Sequence, residues 1–261
     1  MSEEDKQFQE QCLIEIEQQG CNIEICNLSK NWLINVNPLK YSYHFEYLGR
    51  PIIQYPQDIV AIQEIIWKVK PDLIIETGIA HGGSLIMSAS MLALIDMCEV
   101  IENDKVFKPK KSQRKVLGID IDIRPHARKV IEAHPMASRI QMIKGSSIDP
   151  LIIEKVKNIS ADYKCIIVLL DSSHTHNHVM QELKAYASLV STGSYCVVFD
   201  TTIQDMPENA FPKASWGLGN NPKTAVWEFL KTHPEFEIDK QIQNKLLITA
   251  AQDGYLKRIN K

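Results

Sequence analysis

Two short segments carry most of the chemistry legible in this chain. The first, Leu170-Asp-Ser-Ser-His174, places a carboxylate and an imidazole three residues apart after an apolar run; the second, Phe199-Asp-Thr-Thr202, places another acid after a second apolar run. If those runs are neighbouring strands, Asp171 and Asp200 converge on one point. Two hard oxygen ligands with open positions suit Mg²⁺. Such an ion lowers the pKa of a substrate hydroxyl, and His174 stands where a general base would take its proton. Two other readings of His174 stay open: it caps the helix beginning near Thr175, or it joins His178 and Asp171 in a soft-metal site.

A third segment, Leu73-Ile-Ile-Glu-Thr-Gly-Ile-Ala-His-Gly-Gly-Ser84, reads as strand, glycine turn and helix start. Gly78, Gly82 and Gly83 let the backbone bend beside a ligand. The turn lacks the Lys of a phosphate-gripping loop and does not fit G-x-G-x-x-G. Glu76 at the strand end asks for a ligand with positive charge or hydroxyls, and S-adenosylmethionine fits better than a dinucleotide. The binding set expected for it is Glu76, Gly78, His81, Gly82, Ser84, Asp120, Asp122, Ser146, Ser147 and Asp171. Asp120 and Asp122 end the second strand, as acids holding two ribose hydroxyls would, and Ser146 and Ser147 follow the third strand, suited to an adenine edge. Each strand-end acid alone is as well explained as a helix cap, as Asp149 before Pro150 is. Polar residues at every strand end together are not.

The elements that must position these residues alternate. Apolar runs at 73–76, 116–121, 140–143, 165–170 and 195–199 read as strands, and periodic segments at 84–97, 125–133, 150–157, 177–190 and 222–232 as helices. Near-continuous apolar strands separated by helices predict an α/β, Rossmann-like, mostly parallel sheet. Phe236-Glu-Ile-Asp and Asn244-Lys-Leu-Leu-Ile-Thr-Ala, with a polar gap between them, predict a closing antiparallel hairpin. Parallel strands with that ending resemble the seven-stranded class I methyltransferase sheet more than a dinucleotide fold. Residues 1–55 read as an N-terminal appendage to a domain over 56–261: a polar helix over about 4–19, then an irregular segment with Trp32, Tyr41, Tyr43, Phe45 and Tyr47 that covers the core or forms a lid. Ile59, Ile62, Ile65, Ile66 and Val69 form the stripe of a helix stopped by Pro71. Charged residues 102–115 read as a solvated loop or insertion, and 204–221 as a substrate-covering loop or ordinary structured padding.

The 261 residues carry a net charge of −3, which argues against a nucleic-acid partner. Six cysteines without a C-x-x-C pair fit a reducing compartment, the N-terminus has no secretory pattern, and no apolar stretch reads as a membrane span. A cytoplasmic protein is expected.

Several segments together resemble the cephalosporin hydroxylase-like proteins, which include rhamnosyl O-methyltransferases. They are Leu48-Gly-Arg-Pro-Ile-Ile-Gln54, Ile65–Gly78, Gly118-Ile-Asp-Ile-Asp122, Lys144-Gly-Ser-Ser147, Leu170–His174, Ala187–Tyr195 and Gly254-Tyr-Leu-Lys-Arg258. The resemblance covers about residues 45–260. It implies an S-adenosylmethionine-dependent O-methyltransferase acting on a hydroxyl of a saccharide or small natural product, and a homo-oligomer. The chain is also similar to sugar O-methyltransferases of macrolide pathways, in which the strand-four Asp binds Mg²⁺ and a His three residues later is the base; Asp171 and His174 match that spacing. Those sites carry two adjacent acids after strand five, and here the first is Phe199, which leaves a weaker Mg²⁺ set unless Asp205 or Glu208 substitutes. Two other functions compete: an iron and 2-oxoglutarate hydroxylase, and a non-catalytic binding protein that kept the fold.

Overall fold

The computed structural model describes residues 2–104, 106 and 112–259. Its helices are α1 (Glu3–Cys21), α2 (Ile23–Val36), α3 (Pro56–Val69), α4 (Gly83–Glu102), α5 (Pro125–Ala133), α6 (Pro150–Ser160), α7 (His176–Tyr186), α8 (Pro222–Leu230) and α9 (Lys240–Leu246). Its strands are β1 (Phe45–Tyr47), β2 (Arg50–Ile52), β3 (Leu73–Thr77), β4 (Lys115–Asp120), β5 (Ile140–Lys144), β6 (Ile166–Leu170), β7 (Tyr195–Val198), β8 (Phe236–Ile238) and β9 (Tyr255–Arg258). Of the charged 102–115 segment, residues 105 and 107–111 lie outside the described residues.

Seven strands form one sheet in the order β5-β4-β3-β6-β7-β9-β8. The first five are parallel, and β9 runs antiparallel to both β7 and β8. The apolar runs explain the parallel part. Every residue of β3 and of β6 is buried, because helices cover both sheet faces. Along β3, Ile74 joins one core with Ile62, Leu85 and Leu92, while Leu73 and Ile75 join the other with Val168, Leu183 and Phe229. Order and orientation together give the Rossmann-like methyltransferase sheet with its antiparallel end.

Three expectations are corrected. The segment after Gly20 is not irregular up to the aromatics: α2 occupies Ile23–Val36, started by the Asn22 side chain, which accepts the N–H groups of Glu24 and Ile25. Its asparagines and β-branched residues are poor helix formers, so only the cap and packing of Leu33 and Trp32 reveal it. The closing hairpin exists, but its second strand is Tyr255–Arg258 rather than the run from Asn244. There α9 ends, Leu247 takes φ +57°, and the Thr249 hydroxyl and the Ala250 N–H donate to the buried Asp58 carboxylate, which takes the Ala250 N–H from any ladder. Finally, α4 is long and apolar enough to cross a membrane, with mean hydropathy 1.8 over its best window, half of which is buried. It packs against α3, β4 and the β1–β2 hairpin, as a core helix does.

The N-terminal residues share the main core. Leu33, Ile52 and Tyr55 are buried with Ile62 and Ile66, and Trp32, Tyr41 and Tyr55 pack ring against ring. Helix α1 lies on α9, with the Gln19 amide donating to the carbonyls of Asn244 and Lys245 at 2.7 and 3.2 Å.

Candidate active site

The carboxyl ends of β3, β4, β6 and β7 point to one rim, and the glycine turn after β3 forms its middle. Gly78 has φ +88°, and a Cβ there would stand 2.0 Å from the Asp171 carbonyl oxygen, so no side chain fits. A Cβ on Gly83 would meet the Pro51 carbonyl oxygen at 2.3 Å, because the β1–β2 hairpin lies directly over the turn. Arg50 of that hairpin donates through Nε and Nη2 to the His81 carbonyl at 3.1 and 2.7 Å. The turn is also tied to the next strand. Asp120 Oδ2 accepts the Ile79 and Ala80 N–H groups at 2.8 and 3.3 Å, and its Oδ1 accepts that of Asp122 at 2.9 Å.

Glu76 is buried below this turn. Ser84 Oγ donates to its Oε1, while Oε2 has no partner among the described residues. Burial pushes its pKa up to about 7, and the Ser84 hydroxyl pulls the other way. A buried carboxylate oxygen without a donor fits a cationic ligand group. Two clefts flank Gly78. The smaller, about 40 Å³, lies between Pro51–Gln54 and the turn and is lined by His81, Gly82, Ser84 and Asp171. The larger, about 360 Å³, is lined by Asp120, Ile121, Ser146, Ser147, Ser172 and His178. Of the ligand residues expected from sequence, Asp122 is exposed and lines neither cleft.

Beside the small cleft, Asp171, His174 and Asp200 come together, their potential ligand atoms all within 4.8 Å of one another. His174 Nδ1 stands 3.2 Å from Asp200 Oδ2, and the edge of Trp216 packs on the imidazole at a centroid distance of 4.9 Å. Asp200 reaches inward from a left-handed backbone, φ +55° and ψ +19°, a conformation that non-glycine residues hold only under constraint. The Asp171 carboxyl is pushed well above the usual carboxylate range, by burial first and then by the like charges of Asp200, Glu76, Glu182 and Asp58. A buried carboxyl crowded by like charges, with the Asp200 carboxylate beside it, fits a hard divalent cation between Asp171 and Asp200.

Other expectations do not assemble. Phe199 is 3% exposed and packs in the core, so its side chain takes no part in the cluster. Asp205 pairs instead with the buried Lys223, and Glu208 is exposed; neither replaces the missing acid. The soft-metal arrangement is also absent: α7 starts at His176, so His174 is not on its face, and His178 Nε2 turns to Ser147 Oγ at 3.1 Å and Ser172 Oγ at 3.2 Å. Thr175, not His174, is the residue at the cap of α7. Sequence reasoning met Trp216 only as part of the 204–221 loop and His178 only as a soft-metal candidate, and it passed over Glu182. The i, i+4 spacing of His178 and Glu182 on an otherwise apolar face was the available signal.

Comparison with known proteins places the chain. The family model "Rhamnosyl O-methyltransferase/CmcI" matches residues 39–259. The rhamnosyl O-methyltransferase of Mycobacterium bovis (strain BCG / Pasteur 1173P2) is 30% identical over 217 residues, covering 81% of this chain and 77% of that protein. Its namesake in Mycobacterium leprae (strain TN) is 27% identical over 217 residues, covering 81% and 82%. Among solved structures, CmcI with Mg-SAM superposes with a TM-score of 0.53 at 18% identity, over 84% of this chain and 78% of that one. An O-methyltransferase from Bacillus cereus in complex with SAH gives 0.50 at 14% identity, over 80% and 81%. At these identities the structures attest the fold.

Proposed function

The chain belongs to the rhamnosyl O-methyltransferase/CmcI family of S-adenosylmethionine-dependent O-methyltransferases, and from that premise we propose that it methylates a sugar hydroxyl with His174 as general base. The observation that carries this reading is the Asp171–His174–Asp200 cluster, because Asp171 belongs both to it and to the cleft at the glycine turn.

When bound, S-adenosylmethionine supplies a methyl group made electrophilic by its sulfonium. Glu76 Oε2 is the acceptor available to its ammonium, and the larger cleft, with Asp120, Ile121 and Ser146, takes its nucleoside. Asp120 meets that nucleoside with its carboxylate already fixed by three backbone N–H groups, so it contributes an oriented wall rather than a free side chain. At the reacting end, Asp200 accepts from Nδ1–H of His174 and thereby leaves Nε2 basic. Nε2 takes the acceptor hydroxyl's proton as the oxygen attacks. Trp216 walls the imidazole from one side. Asp171 and Asp200 would hold a Mg²⁺, whose chemistry is to lower the pKa of the hydroxyl it binds. In-line methyl transfer depends chiefly on such positioning.

The hydroxylase alternative loses its footing. The sheet is not a jelly roll, and the metal-competent cluster holds one imidazole and two carboxylates rather than two histidines and one. For the cap, we propose that residues 1–55 with the 204–221 loop shape the acceptor pocket: Tyr55, raised to about 12 by burial and then by Asp200, brings a ring and a hydroxyl close to the acids. A homo-oligomer and a cytoplasmic setting complete the reading, supported by exposed Phe8, Ile23 and Leu28 on α1 and α2 and by six free cysteines. The test is transfer of label from methyl-labelled S-adenosylmethionine to a panel of rhamnosides and other glycosides, with and without Mg²⁺. Transfer that disappears in His174→Ala supports the reading; transfer to no glycoside removes the sugar acceptor.

A further inference from the structure

The wall of the larger cleft contains a proton-wired histidine. Ser172 Oγ lies 2.7 Å from Glu182 Oε1, and Glu182 is fully buried on α7. An unprotonated carboxyl oxygen only accepts, so the single hydroxyl proton of Ser172 goes to Glu182. Ser172 Oγ then has only lone pairs to offer His178 Nε2, 3.2 Å away, and that nitrogen must carry the proton. Ser147 Oγ stands 3.1 Å from the same Nε2 and accepts a share of it. In the neutral imidazole this leaves Nδ1 as a bare acceptor. Nδ1 has no partner among the described residues, and His178 lines the cleft beside Ser146, Ser147 and the largely exposed side chain of Ile121.

We propose that His178 is a specificity-determining residue for the donor's base: its Nδ1 accepts from the exocyclic amine of adenine, and Glu182, acting through Ser172, is the positioning residue that fixes the tautomer. This rests on the reading of the larger cleft as the nucleoside site. The arrangement explains why a carboxylate is kept fully buried on α7, where the helix otherwise packs apolar Val179, Leu183 and Tyr186. It also predicts rejection of a base that carries an acceptor oxygen in place of the amine, since two lone pairs would then face each other across the cleft.

Calorimetry on the full chain with S-adenosylhomocysteine and S-inosylhomocysteine tests it. Wild-type protein should bind the adenosyl ligand about tenfold more tightly or better, the worth of one hydrogen bond against a lone-pair conflict. His178→Ala should lose most of that preference by weakening the adenosyl ligand alone. Glu182→Gln, close in shape, should narrow the preference too, because a carboxamide can donate to Ser172 and free the other tautomer. An unchanged preference in folded His178→Ala overturns the inference while leaving the methyltransferase reading intact. Failure of wild-type protein to bind either ligand overturns both.

Discussion

The two halves of the site differ in how their charges are settled. On the donor side Asp120 is saturated by three N–H donors, Arg50 fastens the hairpin to the glycine turn, and no side chain needs to move to form the clefts. On the acceptor side Asp171 is buried near Asp200, Glu76, Glu182 and Asp58, whose like charges raise its proton affinity, and Asp200 faces it from a left-handed backbone. One half is balanced largely by its own backbone, with Glu76 Oε2 alone left for the donor's ammonium. The other is balanced only by what binds it, and that is where strain and charge can be spent on chemistry.

The sharpest break in this contrast is His174→Ala. It removes the base and should lower kcat about 10³-fold, in the range of general-base losses. Affinity for S-adenosylmethionine, set by the other half, should stay within about twofold in the same preparation. Next, Asp171→Asn should abolish most activity and yet raise the melting temperature by about 2–4 °C, because it deletes a like charge from the buried cluster. A lowered melting temperature would show that Asp171 is already compensated within the fold.

A pH series sharpens the contrast further. Glu76 and Asp58 rise to about 7 and about 6 in the folded protein, above their ordinary carboxylate values. The folded state therefore binds more protons than the unfolded chain between these limits, and stability falls as pH rises. The contribution is fully present below about pH 4 and is lost as pH climbs through 6 and 7. Thermal melts of ligand-free protein should show that decline, and Glu76→Gln should flatten its upper part. The smallest expected effect belongs to Arg50→Ala: a threefold to tenfold weaker donor affinity, an indirect loss about the size of one ordinary hydrogen bond, with kcat nearly unchanged at saturation. A kcat loss as large as that of His174→Ala would mean that the hairpin serves the acceptor half.

The same division governs what could be read from the chain. β3, β6 and the helices after them announce themselves by unbroken apolar runs, glycines and caps, all local signals, and the strand ends carried Glu76, Asp120, Asp171 and Asp200 with them. The donor turn was legible for the same reason. What stayed hidden depends on distant partners. Leu247 to Ala250 look like a strand until Asp58, nearly two hundred residues earlier, claims two of them. Asp205 looks free until Lys223 takes it. Phe199 reads as a missing ligand, whereas its side chain faces the core, and an acid there would bury a charge rather than restore a site. His178 reads as a surface histidine until Ser147, Ser172 and Glu182 are seen around its Nε2.

Calorimetric titration of the folded protein with S-adenosylmethionine, with and without Mg²⁺ and repeated on Asp200→Asn, bears on the central contrast most directly. A preformed, self-balanced donor half should bind without the ion. An acceptor half that needs a cation should make Mg²⁺ bind to the wild type and lose that binding in Asp200→Asn. No heat from S-adenosylmethionine in either condition would contradict the donor half, and Mg²⁺ binding unchanged by Asp200→Asn would contradict the acceptor half.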